Sequence, residues 1–264
     1  MIRRLWLVGC GNMAGAMLGR WLASGTIVAA DVFVVNRADR ILPDGVAQGR
    51  TLPDGPMPDA VMLGMKPQQI DDVAAAHGGR IAGVPLLISI LAGVEEAAIV
   101  RRFDAGAVVR AMPNLPVAIG KGVVALHSSG ADVAVRGAVA DLMAPLGLVE
   151  WVDPALFDAV TAIAGSGPGF LYRYIDAMAA AGAAVGIPAD QAARLAMATV
   201  EGSALLAASA DVPPATLADR VASPGGSTRK GLDVLDRDAA LVRLLTEVLQ
   251  ASTARNAEMA AAAR

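Results

Sequence analysis

The chain has 264 residues, 55% of them apolar but only 3% aromatic, and a formal net charge of −3. That length holds one large domain or two modest ones with cores of their own, and the slightly acidic balance offers no basic footprint for nucleic acid or an anionic membrane, so a small molecule is the expected partner. The one cysteine, Cys10, excludes an internal disulfide framework and fits a reducing compartment.

The first element opens close to Met1, so the expectation is a cytoplasmic, bacterial protein with no leader ahead of the fold. Residues 5–8 read as a buried strand. Gly9 and Gly11 let the backbone turn tightly and approach a ligand, and Ala14 takes the third small-residue place of a G-x-G-x-x-G/A pattern. The helix expected from Ala14 to about Ser24 would aim its free N–H groups at a pyrophosphate. A second strand at 32–36 follows at βαβ spacing, which favours a dinucleotide site over a plain glycine-rich turn.

The residue at the C-terminal end of that second strand meets the adenosine ribose. Asp31 lies at the other end and reads as a solvated strand start. Asn36 and Arg37 stand at the right end, where a guanidinium can pair with a 2′-phosphate and no carboxylate is expected to repel it. NADP is therefore expected in preference to NAD, the alternative being that Arg37 is an ordinary surface charge.

Residues 38–58 carry Pro and Asp-Gly turn signals, so a mostly irregular connection with at most one short helix is expected. Strands follow at 60–65, 85–92, 107–111 and 123–127, with helical patterns at 68–76, 95–103 and 132–144. The first part of the chain, 1–153, thus reads as a doubly wound α/β, Rossmann-like NAD(P)-binding domain. Lys66, Gly93 and Asn114 stand at strand C-terminal ends, where ligands of such sheets bind. The most apolar run, 84–94, is too short to span a membrane.

From about Pro154 strand signals vanish, and helices are expected at 157–163, 169–184, 189–208, 214–222 and 237–259. An all-α second domain, 154–264, is expected, and its alanine content suits closely packed helices and a buried oligomer interface. Ser223-Pro224-Gly225-Gly226-Ser227-Thr228 gathers glycines and hydroxyls at a helix start, an anion site suited to a carboxylate. The alternative is a capped turn with Ser227 or Thr228 as N-cap. His77 and His127 have no acid or cysteine neighbours at metal-ligand spacing, so both read as structural and no metal is expected.

Several segments together resemble the pyrroline-5-carboxylate reductase family over nearly the whole chain. They are GCGNMAGAML at the start, MKPQ at 65–68, ISILAGV at 88–94, RAMPNLPVAIGKG at 110–122, DAVTAIAGSGPGFLYRYIDAM at 158–178 and LADRVASPGGSTRKGLDVL at 217–235. The resemblance implies NAD(P)H-dependent reduction of the cyclic imine 1-pyrroline-5-carboxylate to L-proline, the last step of proline biosynthesis. It also implies a helical domain that dimerises by interlocking its helices.

Carried over by position, Val8, Gly9, Cys10, Gly11, Asn12 and Met13 would line the cofactor beside Ala14, with Asn36 and Arg37. Gly64, Met65, Lys66 and Pro67 would join them, as would Ile90, Leu91, Ala92 and Gly93. The substrate would meet Met112, Asn114, Gly167 and Pro168, and the turn of Ser223, Gly225, Gly226, Ser227 and Thr228 would hold its carboxylate. The hydroxyls of Ser223 and Thr228 would be the catalytic groups, Thr228 as hydrogen-bond partner of the ring nitrogen.

The chain departs from the family pattern at Ala164, where many relatives have serine, and at Lys121, where an acid is frequent. It departs again at Arg229-Lys230, where smaller or apolar residues are usual, and over 38–58, which is short and proline-rich. A hydroxyacid dehydrogenase would want a lysine on the interdomain helix, yet Lys66, Lys121 and Lys230 are the only lysines. A reductase of the six-membered imine stays open, because one methylene is worth only about 1–3 kcal/mol. A non-catalytic nucleotide-binding protein on the same fold stays open as well.

Overall fold

The computed structural model describes residues 2–262. β1 (Leu5–Val8) leads into α1 (Asn12–Ala23), β2 (Val32–Val35), β3 (Ala47–Gly49), β4 (Ala60–Leu63), α2 (Ile70–Ile81) and β5 (Val84–Ser89). Then come α3 (Glu96–Val100), β6 (Ala105–Pro113), β7 (Gly122–His127), α4 (Val133–Met143) and β8 (Gly147–Trp151). The strands form one sheet in the order β3-β2-β1-β4-β5-β6-β7-β8, parallel throughout except between β6 and β7. Chain order reverses at β1, so a crevice opens beyond its C-terminal end.

Strands covered on both faces need continuous apolar runs, and LWLV and AVML supply them with every residue buried. Side chains alternate across the sheet. Leu5 and Leu7 meet Met17, Leu18 and Trp21 of α1 and Leu142 of α4 on one face. Trp6 and Val8 meet Ile70 and Ile81 of α2 and Ile99 of α3 on the other. The buried Trp21 indole donates to the Leu142 carbonyl at 2.7 Å, fastening α1 to α4.

The fold agrees with the expected α/β class and differs in detail. The 38–58 connection contains the short strand β3 and no helix. β8 was not expected: it is a half-exposed edge strand whose sequence, GLVEW, lacks the continuous apolar run of the inner strands. α1 begins at Asn12 rather than Ala14, because Gly11 is already its extended N-cap.

The described chain divides into two compact units, one running to Ser166 and resuming at Ala251, the other Gly167–Gln250. This differs from the expected division into 1–153 and 154–264. The stretch after Asp153 belongs with the sheet: α5 (Phe157–Val160) sets the buried Phe157 ring 4.1 Å from the Arg110 guanidinium, and the Asn114 amide donates to the Ala164 carbonyl at 2.9 Å.

The second unit is helical: α6 (Gly167–Ala184), α7 (Ala189–Ser209), α8 (Pro214–Val221), α9 (Ser227–Asp236) and the start of α10 (Ala240–Ala262). α9 starts where the Ser223–Thr228 stretch signals a helix N-terminus. α10 begins at Ala240 rather than 237, because Asp238 and Ala239 take left-handed φ values of 51° and 54° ahead of it. Among the described residues of this unit only Ala192, Ala196 and Ala222 are buried, while Leu171, Tyr172, Leu195, Leu205 and Leu206 are exposed. A helical layer with so little covered apolar surface does not hold itself together alone.

Asp59, just before β4, accepts from the backbone N–H groups of Arg3 at 2.7 Å and Arg4 at 2.9 Å, joining the start of β1 to β4. Burial pushes its carboxyl up, but these two N–H groups and the Arg4 charge outweigh it and hold the group below the ordinary carboxylate range. A depressed carboxylate stabilises the fold above its unfolded pKa and loses that contribution as pH falls through the folded one. Asp59→Asn is expected to lower unfolding free energy by about 1 kcal/mol at neutral pH, the small figure reflecting its exposure. Urea melts should show the difference closing below about pH 4.

Candidate active site

A cleft of about 740 Å³ opens at the C-terminal end of β1. Its floor is two backbones in contact. The Gly9 N–H donates to the Val35 carbonyl at 2.8 Å and the Gly64 N–H to the Val8 carbonyl at 2.9 Å. A Cβ on Gly9, whose φ is +87°, would lie 2.6 Å from the Met65 nitrogen, and one on Gly64 would lie 2.6 Å from the Gly9 carbonyl oxygen. Only glycine fits either place. Gly11 caps α1 without any side-chain hydrogen bond, and no acidic residue sits in the first turn, so the leading N–H groups of α1 remain available to an anion.

Asn36 sets the loop from the side. Its Oδ1 accepts from the Cys10 N–H at 2.9 Å, while its Nδ2 is buried with no hydrogen-bond partner among the described residues. A buried orphan donor is costly unless something else fills the place. Together with the glycine cradle, that donor fits a polar, oxygen-rich ligand such as a dinucleotide. Burial pushes the Cys10 thiol up, only partly offset by the Arg40 charge, and the side chain packs in the core cluster.

The ribose end differs from expectation. Arg37 lines the cleft, but its guanidinium is paired at 2.9 Å with Asp72 of α2, a carboxylate that inspection of β2 alone does not reveal. Arg40 and Arg50 line the same end, Arg50 arriving at the end of β3. His77, read from sequence as structural, also lines the cleft, and burial holds its imidazole below its ordinary pKa.

Residues Val8 to Ala14, Asn36, Gly64 to Pro67, Ile90 and Ala92, each named from the sequence for the cofactor, are brought together around the cleft. Leu91 and Gly93 do not. Leu91 points into the core, and Gly93 turns with φ +72° beneath α10, where an added Cβ would stand 3.1 Å from that of Met259.

In the second unit, Ser223 to Gly226 forms a type II turn: Pro224 leads, Gly225 takes φ +74°, and the Gly226 N–H donates to the Ser223 carbonyl at 2.9 Å. Gly226, not Ser227 or Thr228, is the N-cap of α9, and no side chain caps it. Among the described residues no side chain occupies the first N–H groups of α9, beside which the hydroxyls of Ser227 and Thr228 stand. A Cβ on Gly226 would press to 2.6 Å from the Ser223 Oγ. The two cations after the turn are engaged elsewhere, Arg229 with Asp219 at 2.7 Å and Lys230 with Asp233 at 3.8 Å.

Asn114 differs from a direct ligand. Its Oδ1 accepts from the Val123 N–H at 2.8 Å and its Nδ2 donates to Ala164 in a π turn spanning Thr161–Gly165, so both ends of the amide hold backbone. The contact falls on a main-chain carbonyl, which accounts for a tolerated alanine at 164. Met112 lies beside Gly165, 3.9 Å from where a Cβ would stand. Ser166 receives a bond from the Ser252 hydroxyl at 3.3 Å, while Gly167 and Pro168 open α6. His127 sits between the Glu96 carboxylate, 3.1 Å from Nε2, and the Val152 carbonyl, 3.2 Å from Nδ1.

Residues 154–259 match the family model for pyrroline-5-carboxylate reductase dimerisation. A pyrroline-5-carboxylate reductase of Synechocystis sp. is 36% identical over 241 residues, covering 89% of this chain and 90% of that protein. That of Pseudomonas aeruginosa is 32% identical over 268 residues and covers 97% of each. The solved pyrroline-5-carboxylate reductase of Coxiella burnetii superposes with a TM-score of 0.87 at 27% identity, covering 97% of this chain and 98% of that one. The pyrroline carboxylate reductase of Plasmodium falciparum, solved with NADP bound, shares the fold with a TM-score of 0.82 at 22% identity over 97% of this chain and 98% of its own. With a glycine cradle at the β1 switch point, an uncapped turn opening α9 and relatives matched along nearly their full length, the chain belongs to the pyrroline-5-carboxylate reductase family.

Proposed function

We propose that the chain reduces 1-pyrroline-5-carboxylate to L-proline with NADPH preferred over NADH, as a cytoplasmic homodimer. The observation that carries the reading is the uncapped Ser223–Thr228 turn in a chain whose dinucleotide cleft is intact. The reduced nicotinamide supplies the hydride that the imine carbon accepts. The chain itself has to hold, orient and exclude.

In this reading Gly9, Gly11 and the first turn of α1 hold the pyrophosphate, and Asn36 spends its free Nδ2 on the bound dinucleotide. Met65, Lys66 and Pro67 form one wall, and Ile90 with Ala92 another. The backbone donors of the Ser223–Thr228 turn take the substrate carboxylate, and the Thr228 hydroxyl meets the ring nitrogen. A protonated imine already carries the positive charge that makes its carbon electrophilic, so fixing the reactants at near-attack distance does most of the catalysis.

Partnership follows from the second unit. Its uncovered leucines and tyrosines and the family's dimerisation region support burial against a second copy. No helix among the described residues is long and apolar enough to cross a membrane.

Oxidation of NADPH and of NADH, followed with 1-pyrroline-5-carboxylate, tests the activity. Thr228→Ala is expected to lower kcat/KM by roughly ten- to a hundredfold, the size of one lost hydrogen bond to a charged group. Folded wild-type protein that turns over with neither cofactor would sink the assignment. Gly64→Ala drives a methyl against the Gly9 carbonyl, and is expected to weaken NADPH and NADH alike by about tenfold while costing about 1–3 kcal/mol of stability. Cofactor titration and thermal melting measure the two effects, and wild-type affinity in the variant would show that the cradle is looser than its geometry.

A further inference from the structure

The ribose end of the cleft holds more cationic side chains than the strand-end pattern predicts. Arg37 stands just past β2, after Asn36, and β3, which pairs in parallel with β2 so that Gly49 lies beside Val35, brings Arg50 to the same end. The Arg50 guanidinium donates through Nη1 to the Arg37 carbonyl and lies 3.3 Å from Asp39 through Nη2. Those contacts hold a second guanidinium at the C-terminal end of β2, in the cleft that Arg37 also lines. Arg40 lines the same end, and no ion pair or side-chain hydrogen bond engages its guanidinium among the described residues. The opposing charges are the carboxylates of Asp72 and Asp39.

We propose that Arg50 is a specificity-determining residue for the cofactor, forming with Arg37 a two-guanidinium seat for the adenosine 2′-phosphate, and that Asp72 occupies Arg37 until the phosphate displaces it. The proposal rests on the NADPH preference and deepens it. All four side chains of the two ion pairs are more than half exposed, Arg37 and Asp72 at 69% and 73%, Arg50 and Asp39 at 53% and 79%. Exposed pairs of this kind are weak and easily exchanged. A phosphate monoester brings nearly two charges and three acceptor oxygens, so it outcompetes one carboxylate for a pair of forked donors. NADH brings only a ribose hydroxyl there, and it leaves Arg37 with Asp72. Discrimination is then set by three side chains from three separate elements: the end of β2, the end of β3 and the first turn of α2.

Binding of 2′,5′-ADP and of 5′-AMP to the whole protein, measured by isothermal titration calorimetry without substrate or turnover, isolates the 2′-phosphate. Wild type is expected to bind 2′,5′-ADP more tightly. Arg50→Met is expected to weaken 2′,5′-ADP roughly tenfold and leave 5′-AMP within about twofold, with Arg50→Lys between, because it keeps the charge and loses the fork. Asp72→Asn is expected to tighten 2′,5′-ADP about threefold without moving 5′-AMP. A merely structural Arg50 would weaken both nucleotides together, and that result overturns the proposal. If Arg37→Met abolishes the discrimination and Arg50→Met does not, the NADPH reading stands and the Arg50 seat falls. If wild type does not distinguish the two nucleotides, the NADPH reading falls and takes the seat with it.

Discussion

The structure depends on one steric constraint, the contact of two backbones where β1 ends and β4 ends. Gly9 and Gly64 touch through main-chain atoms with no space for a Cβ on either. That closeness brings the strand ends to one level and lets the loop after β1 turn into α1 with its N–H groups pointing outward. It also places Met65 to Pro67 against the loop, so that the cleft has a wall as well as a floor. A bulkier residue at either position would separate the strands at the very point where chain order reverses, and the crevice of a doubly wound sheet exists only at that point.

The two units solve different physical problems. The first buries apolar runs on both faces of the sheet and can therefore hold Asn36 with an unsatisfied donor beside the glycine turn. The second has almost nothing buried and presents leucines and tyrosines outward, which is tolerable only where another surface covers them. The turn at Ser223 illustrates how a weakly packed unit can still present exact chemistry. Pro224 and Gly225 fix the turn by their own backbone preferences, with little demand on surrounding packing.

Much of this was legible in the sequence. The apolar strands, the glycine turn and the Ser-Pro-Gly-Gly stretch announce themselves because each is a local pattern whose cause lies within a few residues. What was hidden depends on pairing across distance. Asp72 meets Arg37 only because α2 folds back over the end of β2, and Arg50 reaches it only through β3, three residues long and without a clear strand signal. Asn114 reads as a ligand because it stands at a strand end, yet each end of its amide holds backbone, at Val123 and at Ala164, fifty residues on. The start of α10 reads three residues early in the sequence because nothing local in Asp238-Ala239 advertises a left-handed break; neither residue is glycine.

The brevity of β3 has a consequence for how such a chain can change over generations. It is an edge strand, and an edge of three residues offers too few unpaired backbone groups to recruit a strand from another molecule. The connection that carries it can lengthen, shorten or exchange residues without breaking the interior of the sheet or exposing a sticky border. The proposed reader of the cofactor's 2′-phosphate is thereby lodged in the most replaceable part of the scaffold. The glycine cradle that every dinucleotide would need sits in the least replaceable part, so inherited variation can retune the electron donor while the reaction site stays as it was.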